Sequence, residues 1–202
     1  GEGLQFVHGW VRVLSNSKLT CALGLRLLVA MGRATLEPLL PLFVALLAAE
    51  SAKVGTLTGL IVGVSSAASI ATSVTLGRRG DRVGHGRVVV WCAVAAITAY
   101  LPQSLVTGVG QLLGLQVLAG ASVGGLVPSL AALLARYSDR GDEGCVYGID
   151  NSVQSVGRAV APLLGAACAV WFSLRGAFVA TSVIFAAVAV MASRALPRAV
   201  AK

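Results

Sequence analysis

Long, continuously apolar runs separated by short polar segments dominate this sequence. The six runs lie within Leu19–Ala49 and at about Leu57–Leu76, Val88–Val106, Gln111–Ala135, Val146–Phe172 and Leu174–Ser193. A helix needs about 20 apolar residues to cross the roughly 30 Å hydrocarbon core of a bilayer, and each run is about that long. Unpaired backbone groups in lipid cost several kcal/mol each, so such runs predict helices. We therefore expect an all-α, multi-pass membrane protein with six transmembrane helices.

The composition agrees with lipid as the solvent. Apolar residues make up 56% of the chain and charged residues only 12%, whereas a soluble domain carries about 25% charged residues. The 16 Lys and Arg outnumber the 8 Asp and Glu and give a net charge of +8. Nucleic-acid binding would need those charges on one face of a soluble fold. They lie instead between the apolar runs, so the expected partner is the lipid bilayer and nucleic acid is excluded.

The distribution of the basic residues predicts how the chain is oriented. With both termini in the cytoplasm, eleven Lys and Arg fall on the cytoplasmic side, and only Lys53 and Arg175 fall on the other. Cytoplasmic loops carry such an excess, and an even number of spans fits it. We expect a cytoplasmic lead-in at residues 1–18, a six-helix bundle at 19–195 and a cytoplasmic tail at 196–202, in the plasma (inner) membrane.

Glycines recur four residues apart in two of the runs. This spacing lets helix backbones approach closely in lipid, where no hydrophobic drive brings helices together. We interpret the recurrence as helix packing. The residues are Gly59, Gly63, Gly110, Gly114, Gly120 and Gly124.

The segment between the second and third runs combines turn-forming glycines with one acid among several arginines. A positively charged cytoplasmic loop would account for the charges alone, but the residues also follow the order Gly-x-x-x-Asp-Arg-x-Gly with a basic residue beyond it. They are Gly77, Gly80, Asp81, Arg82, Gly84 and Arg87. This order resembles the cytoplasmic signature of the major facilitator superfamily, which joins the second and third helices of each six-helix half. The sequence departs from this signature at His85 and Gly86, which lie between the last glycine and the last basic residue.

The resemblance extends over nearly the whole chain. Residues Glu37–Val44, Gly120–Pro128 and Tyr147–Gly165 are similar to the seventh, tenth and eleventh helices of drug-efflux members. Many members carry an arginine where this chain has Gln116. The resemblance implies the C-terminal half-bundle of such a transporter, built as a 3+3 inverted repeat.

By this resemblance the protein is a secondary active transporter. It implies proton-coupled efflux of small organic molecules by alternating access, with the proton as coupling ion and no other cofactor. Nothing in the chain is typical of an enzyme: it has no Gly-Lys-Ser/Thr phosphate loop, metal-ligand set or nucleophile–base pair. Three alternatives stay open, namely a half that needs an N-terminal six-helix partner, an inactive fragment and a half-size protein that dimerises with a second copy.

The resemblance also implies a role for Asp81 in a cytoplasmic gate. In the family, this acid meets the N-terminal end of a helix in the opposite half when the cytoplasmic side is closed. A carboxylate near a helix N-terminus contributes about 0.3–1 kcal/mol when exposed and up to about 2 kcal/mol when partly buried. That is enough to shift the balance between two states separated by a few kcal/mol.

Two polar stripes inside the spans are candidates for the substrate or proton pathway. Inserting an ionisable residue into the bilayer costs about 2.5–3.5 kcal/mol, so such residues are expected to have a function. Arg26, Arg33 and Glu37 share one face of the first helix, and Arg33 and Glu37 are spaced to form an ion pair. Pro38 and Pro41 predict a bend just beyond them. The alternative role of the stripe is an internal ion pair near the outer membrane surface.

The second stripe is in the fifth run, where Asn151, Gln154 and Arg158 share a face and Asp150 lies beside it near the cytoplasmic end. We expect Arg158 to face a water-filled cavity, where it could bind a substrate anion or a carboxylate partner. Extension of its side chain toward the cytoplasmic interface is the alternative, but Arg158 lies about 18 Å into the span at about 1.5 Å per residue.

Overall fold

The structure, a computed structural model, describes residues 15–48, 53–138 and 141–196. All regular secondary structure in these ranges is helical. The helices are α1 (Ser17–Leu36), α2 (Leu40–Leu47), α3 (Val54–Val83), α4 (His85–Gln103), α5 (Val109–Tyr137), α6 (Glu143–Phe172) and α7 (Leu174–Ala195). Because α1 and α2 together form one span, six helices are long and apolar enough to cross a membrane. The all-α fold class and the number of spans are confirmed.

The first span is broken, as its prolines predict. Helix α1 ends at Leu36, and α2 begins at Leu40 with Pro41 in its first turn, where a missing N–H is tolerated. The Leu39 N–H donates to the Leu36 carbonyl across 3.1 Å and closes the break. Glu37 lies in this break, at the C-cap of α1.

Helix α3 is longer than its apolar run and corrects the expected second-to-third loop. Gly77, Gly80, Asp81 and Arg82 lie in the last turns of α3, and only Gly84 separates α3 from α4. The apolar pattern stops at Leu76, but arginine is a good helix former and an isolated glycine weakens a helix without ending it. The chain turns only at Gly84, whose φ of 97° is a conformation that glycine adopts readily.

The bundle is organised around α5 and α1. Helix α5 packs on α3 and α4 and touches α1, while α1 packs on α6 and α7. Two aromatic pairs mark the core: the Phe43 and Phe178 ring centroids are 4.7 Å apart and tilted, and those of Tyr100 and Phe185 are 5.4 Å apart and stacked.

The predicted glycine packing holds at one interface. A Cβ atom on Gly120 or Gly124 of α5 would collide with the backbone oxygen of Ser65 or Ser69 of α3, so these helices touch backbone to backbone. The interpretation is wrong for the other four positions, because a Cβ atom there would meet open space. Those glycines are Gly59, Gly63, Gly110 and Gly114.

Helices α3 and α6 leave most of their surface uncovered. Only Ile61 and Gly80 of α3 are buried, and six of the 30 residues of α6 are buried. Large apolar side chains, among them Ile70 on α3 and Leu163 on α6, are exposed. Contiguous apolar surface of this kind contacts lipid or another polypeptide.

Candidate functional site

A buried ion pair joins α1 to α6. The Arg26 Nε and Nη2 atoms donate to the Asp150 Oδ1 and Oδ2 atoms across 2.8 and 2.7 Å, and the two side chains are only 10% and 6% exposed. The Arg26 Nη1 atom also approaches the Val127 carbonyl of α5 at 3.5 Å. Because an unpaired buried charge is costly, this two-pronged geometry fixes the two helices against each other.

Polar contacts continue from this pair along one face of α6. The Gln154 Nε2 atom donates to Asp150 Oδ2 across 3.0 Å, and the Arg158 Nη2 atom donates to Gln154 Oε1 across 3.4 Å. Asp150, Gln154 and Arg158 are each four residues apart, so they follow one face of the helix. Arg158 is the sixteenth of the 30 residues of α6, in the middle of the helix.

The stripe therefore differs from the expected one at a single position, where Asp150 replaces Asn151. Asn151 is exposed, and within the described ranges no side-chain hydrogen bond is recorded for it; its carbonyl accepts a hydrogen bond from the Ser155 hydroxyl. Asn151 does not line the cavity that Gln154 and Arg158 line. The spacing of Asp150, Gln154 and Arg158 could have identified the correct face from the sequence.

The residues of the two predicted stripes, apart from Asn151, meet in one cavity of about 320 Å³ between α1 and α6. We call it the arginine cavity. Its polar lining consists of Arg26, Arg33, Glu37, Gln154 and Arg158, and its apolar lining of Val29, Ala30, Ala34 and Val127. The volume is at the lower end of small-molecule sites.

Arg33 and Glu37 are not paired with each other. Both side chains are exposed, and within the described ranges no ion pair or hydrogen bond joins them although their spacing permits one. Glu37 still has helical backbone angles, φ −51° and ψ −49°, so the spacing permits the pair without requiring it. The charged groups therefore remain open to the cavity.

A second cavity of about 270 Å³ shares Arg33 and Glu37 with the first. We call it the serine cavity, because Ser65, Ser66 and Ser69 of α3 line it together with Tyr100 of α4. These residues were not among those predicted from the sequence. Their signal is weak: three hydroxyls within five positions of an otherwise apolar run.

The signature residues meet at the junction of α3 and α4. The His85 Nε2 atom is 3.2 Å from the Asp81 Oδ1 atom, and the His85 ring lies against Gly80, where a Cβ atom would collide with it. The Asp81 side chain stays 74% exposed, and Arg82 is exposed too. His85, a departure from the family pattern, thus holds the end of α3 while leaving the carboxylate accessible.

The last basic residue of the signature lies on a different surface. Arg87 lines a cavity of about 390 Å³ between α4 and the end of α7, together with Gly86, Trp91 and Leu196. Gly77 has open space around its α-carbon. The signature is therefore split between the exposed end of α3 and this separate cavity.

Gln116, which stands where many family members carry arginine, is structural. Its Nε2 atom donates to the Gln103 Oε1 atom across 3.1 Å, both side chains are buried, and Gln103 in turn donates to the Ala99 carbonyl. The paired amides join α5 to α4 away from both cavities.

Comparisons with a family profile and with known proteins agree on one family. The profile described as Major Facilitator Superfamily matches residues 22–202. The Multidrug resistance protein MdtG of Escherichia coli (strain K12 / DH10B) is 30% identical over 181 residues, which cover 88% of this chain and 44% of that protein. MdtG of Salmonella typhimurium is 28% identical over 173 residues, covering 85% and 43%. The chain thus spans less than half the length of these curated relatives.

Proposed function

The chain belongs to the major facilitator superfamily, and from this membership we propose that it forms one half of a secondary transporter that exports small organic molecules. Relatives that bear the name multidrug resistance protein support export of this kind. The observation that carries the proposal is the arginine cavity, where charged side chains of two helices face open space in the middle of an apolar bundle. Charges within membrane spans are costly, face a bundle interior or a water-filled cavity, and mark the pathways of substrates and ions.

The proposed mechanism is alternating access. Two six-helix halves rock about a central site, which opens first to one side of the membrane and then to the other. Arg33, Glu37, Gln154 and Arg158 would contribute this half's share of the site. The Arg26–Asp150 pair would hold α1 and α6 together, so that the half moves as one body.

We propose an N-terminal six-helix half as the partner. The uncovered apolar faces of α3 and α6 and the coverage of less than half of the relatives support it. A second copy of this chain is the competing partner, and a fragment that does not transport is the competing interpretation.

The proposed location is the inner membrane with both termini in the cytoplasm, and the proposed coupling ion is the proton. Eleven basic residues against two support the orientation. We propose Glu37 as the group that carries the coupled proton, because it is exposed in the lining of the arginine cavity, whereas Asp150 is enclosed by Arg26 and Gln154.

Reconstitution tests the proposal. The chain is placed in proteoliposomes alone, together with a six-helix N-terminal half, and with a cross-linker that captures a second copy. Flux of a panel of small organic solutes is then followed with an imposed proton gradient and after an ionophore has collapsed it. We expect gradient-dependent flux only with the N-terminal half. Flux from cross-linked pairs of this chain supports the dimer instead, and absence of flux in every arrangement supports the fragment.

A further inference from the structure

The arginine cavity carries more positive than negative charge once its internal pair is considered. Arg26 is neutralised by Asp150 through two short hydrogen bonds. What remains is two guanidinium groups, Arg33 and Arg158, against one carboxylate, Glu37. The described lining therefore has one cation in excess, facing a space bounded by low-dielectric apolar side chains, where charge interactions are stronger than in water.

The two arginines also have unused hydrogen-bond donors. A guanidinium group carries five N–H donors. Within the described ranges, Arg158 donates to one acceptor, the Gln154 amide oxygen, and no acceptor is recorded for Arg33. The Gln154 amide is itself oriented by its bond to Asp150, so that its oxygen is directed to Arg158.

From these observations we propose that the arginine cavity selects solutes that carry an anionic oxygen group, such as a carboxylate, which Arg33 and Arg158 bind. The inference rests on the proposed function, since it names the substrate class of the same site. A planar guanidinium fork matches such groups with two parallel, charge-assisted hydrogen bonds, whereas the oxygen atoms of a neutral solute accept hydrogen bonds that are about half as strong.

Carboxylate chemistry could reach the cavity from two sources. It could belong to the solute, as proposed, or to an acidic side chain of the partner half. The two sources predict different effects of an arginine substitution: the first changes solute affinity, and the second changes the association of the halves.

Three fluorescent probes with a common dansyl group test the inference. Dansylglycine carries a carboxylate, its methyl ester carries no charge, and dansylcadaverine carries an ammonium group. Binding and flux are measured in proteoliposomes that contain the chain with its N-terminal half. We expect dansylglycine to bind at least about tenfold more tightly than the ester, as one charge-assisted hydrogen bond provides.

Matched variants assign the preference to the cavity. Arg158→Gln and Arg33→Gln should each lower dansylglycine affinity about tenfold and change ester affinity less than about twofold, while Arg158→Lys retains part of the preference. Arg194→Gln is the control, because Arg194 is exposed near the end of α7 and lines neither cavity. A single symmetric peak on size-exclusion chromatography verifies that each variant is folded.

The outcomes separate the two proposals. Equal affinity for the three probes overturns the inference, and so does an Arg158→Gln variant that loses its partner half but keeps its dansylglycine affinity. Gradient-driven flux without a carboxylate preference also overturns it while leaving the transport proposal intact. Carboxylate-selective binding without any flux supports the inference and contradicts transport.

Discussion

At Arg26 and Asp150 two opposite charges lie almost out of reach of solvent, and each depends on the other. Arg26→Met leaves a buried carboxylate unpaired, and Asp150→Leu leaves a buried guanidinium unpaired. We expect either change to lower the free energy of unfolding by about 3–5 kcal/mol, and the double variant to recover most of the loss. Unfolding in detergent micelles measures it.

The pair of Asp81 and His85 provides the comparison, because the Asp81 side chain is 74% exposed. Its disruption by His85→Gln should change the free energy of unfolding by less than about 1 kcal/mol, because solvent screens the carboxylate. Losses at Arg26 and Asp150 that simply add in the double variant would contradict the pairing.

A substitution at Asp81 tests the proposed gate. Asp81→Asn removes the charge that would meet a helix N-terminus in the opposite half, an interaction of about 0.3–2 kcal/mol. We expect transport to fall about two- to thirtyfold with normal insertion, measured as initial flux per inserted molecule. Glu143→Gln, which removes another exposed acid at the start of α6, should leave flux unchanged. Wild-type flux from Asp81→Asn would refute the gate.

Residue-level features were predictable where one helix determines them and not where two helices meet. The sequence singled out Arg33, Glu37, Gln154 and Arg158 because charged and polar side chains inside an apolar run are costly. It could not join Arg26 to Asp150, which are 124 positions apart, because only the packing of α1 on α6 brings them together. Asn151 was chosen because it is three and seven residues before Gln154 and Arg158, although Asp150, four and eight residues before them, fits the same face.

At the level of elements, the α3–α5 interface depends on two missing side chains. Gly120→Ala and Gly124→Ala push a methyl group into the α3 backbone, and we expect each to lower the free energy of unfolding by about 1–3 kcal/mol. Gly114→Ala on the same helix is the matched control, since open space surrounds it, and alanine there should add up to about 1 kcal/mol. Thermal unfolding in detergent distinguishes them, and equal effects at Gly114 and Gly120 would exclude close backbone packing.

The helices themselves were predictable because the bilayer sets their length and polarity. Their ends were less so: α3 continues seven residues past the apolar run, since Gly77–Val83 has no residue that forces a turn before Gly84. The break between α1 and α2 was predictable, because proline acts through local geometry alone.

For the molecule as a whole, orientation in the membrane is the first property to test. In a variant whose four cysteines are replaced, Lys53→Cys should react with a membrane-impermeant maleimide added to intact cells. Arg78→Cys should react only after the cells are opened. Both positions are exposed, so access to the reagent depends on the side of the membrane. Labelling of Arg78→Cys in intact cells would reverse the proposed topology.

Arg33 and Glu37 form a common wall of the arginine and serine cavities. A solute bound in either cavity contacts Arg33 and Glu37, which are then not free to bind a solute in the other cavity. The two cavities therefore cannot be occupied independently. Saturation by one solute would then inhibit another competitively, with a stoichiometry of one per half, even when the two solutes share no chemical group.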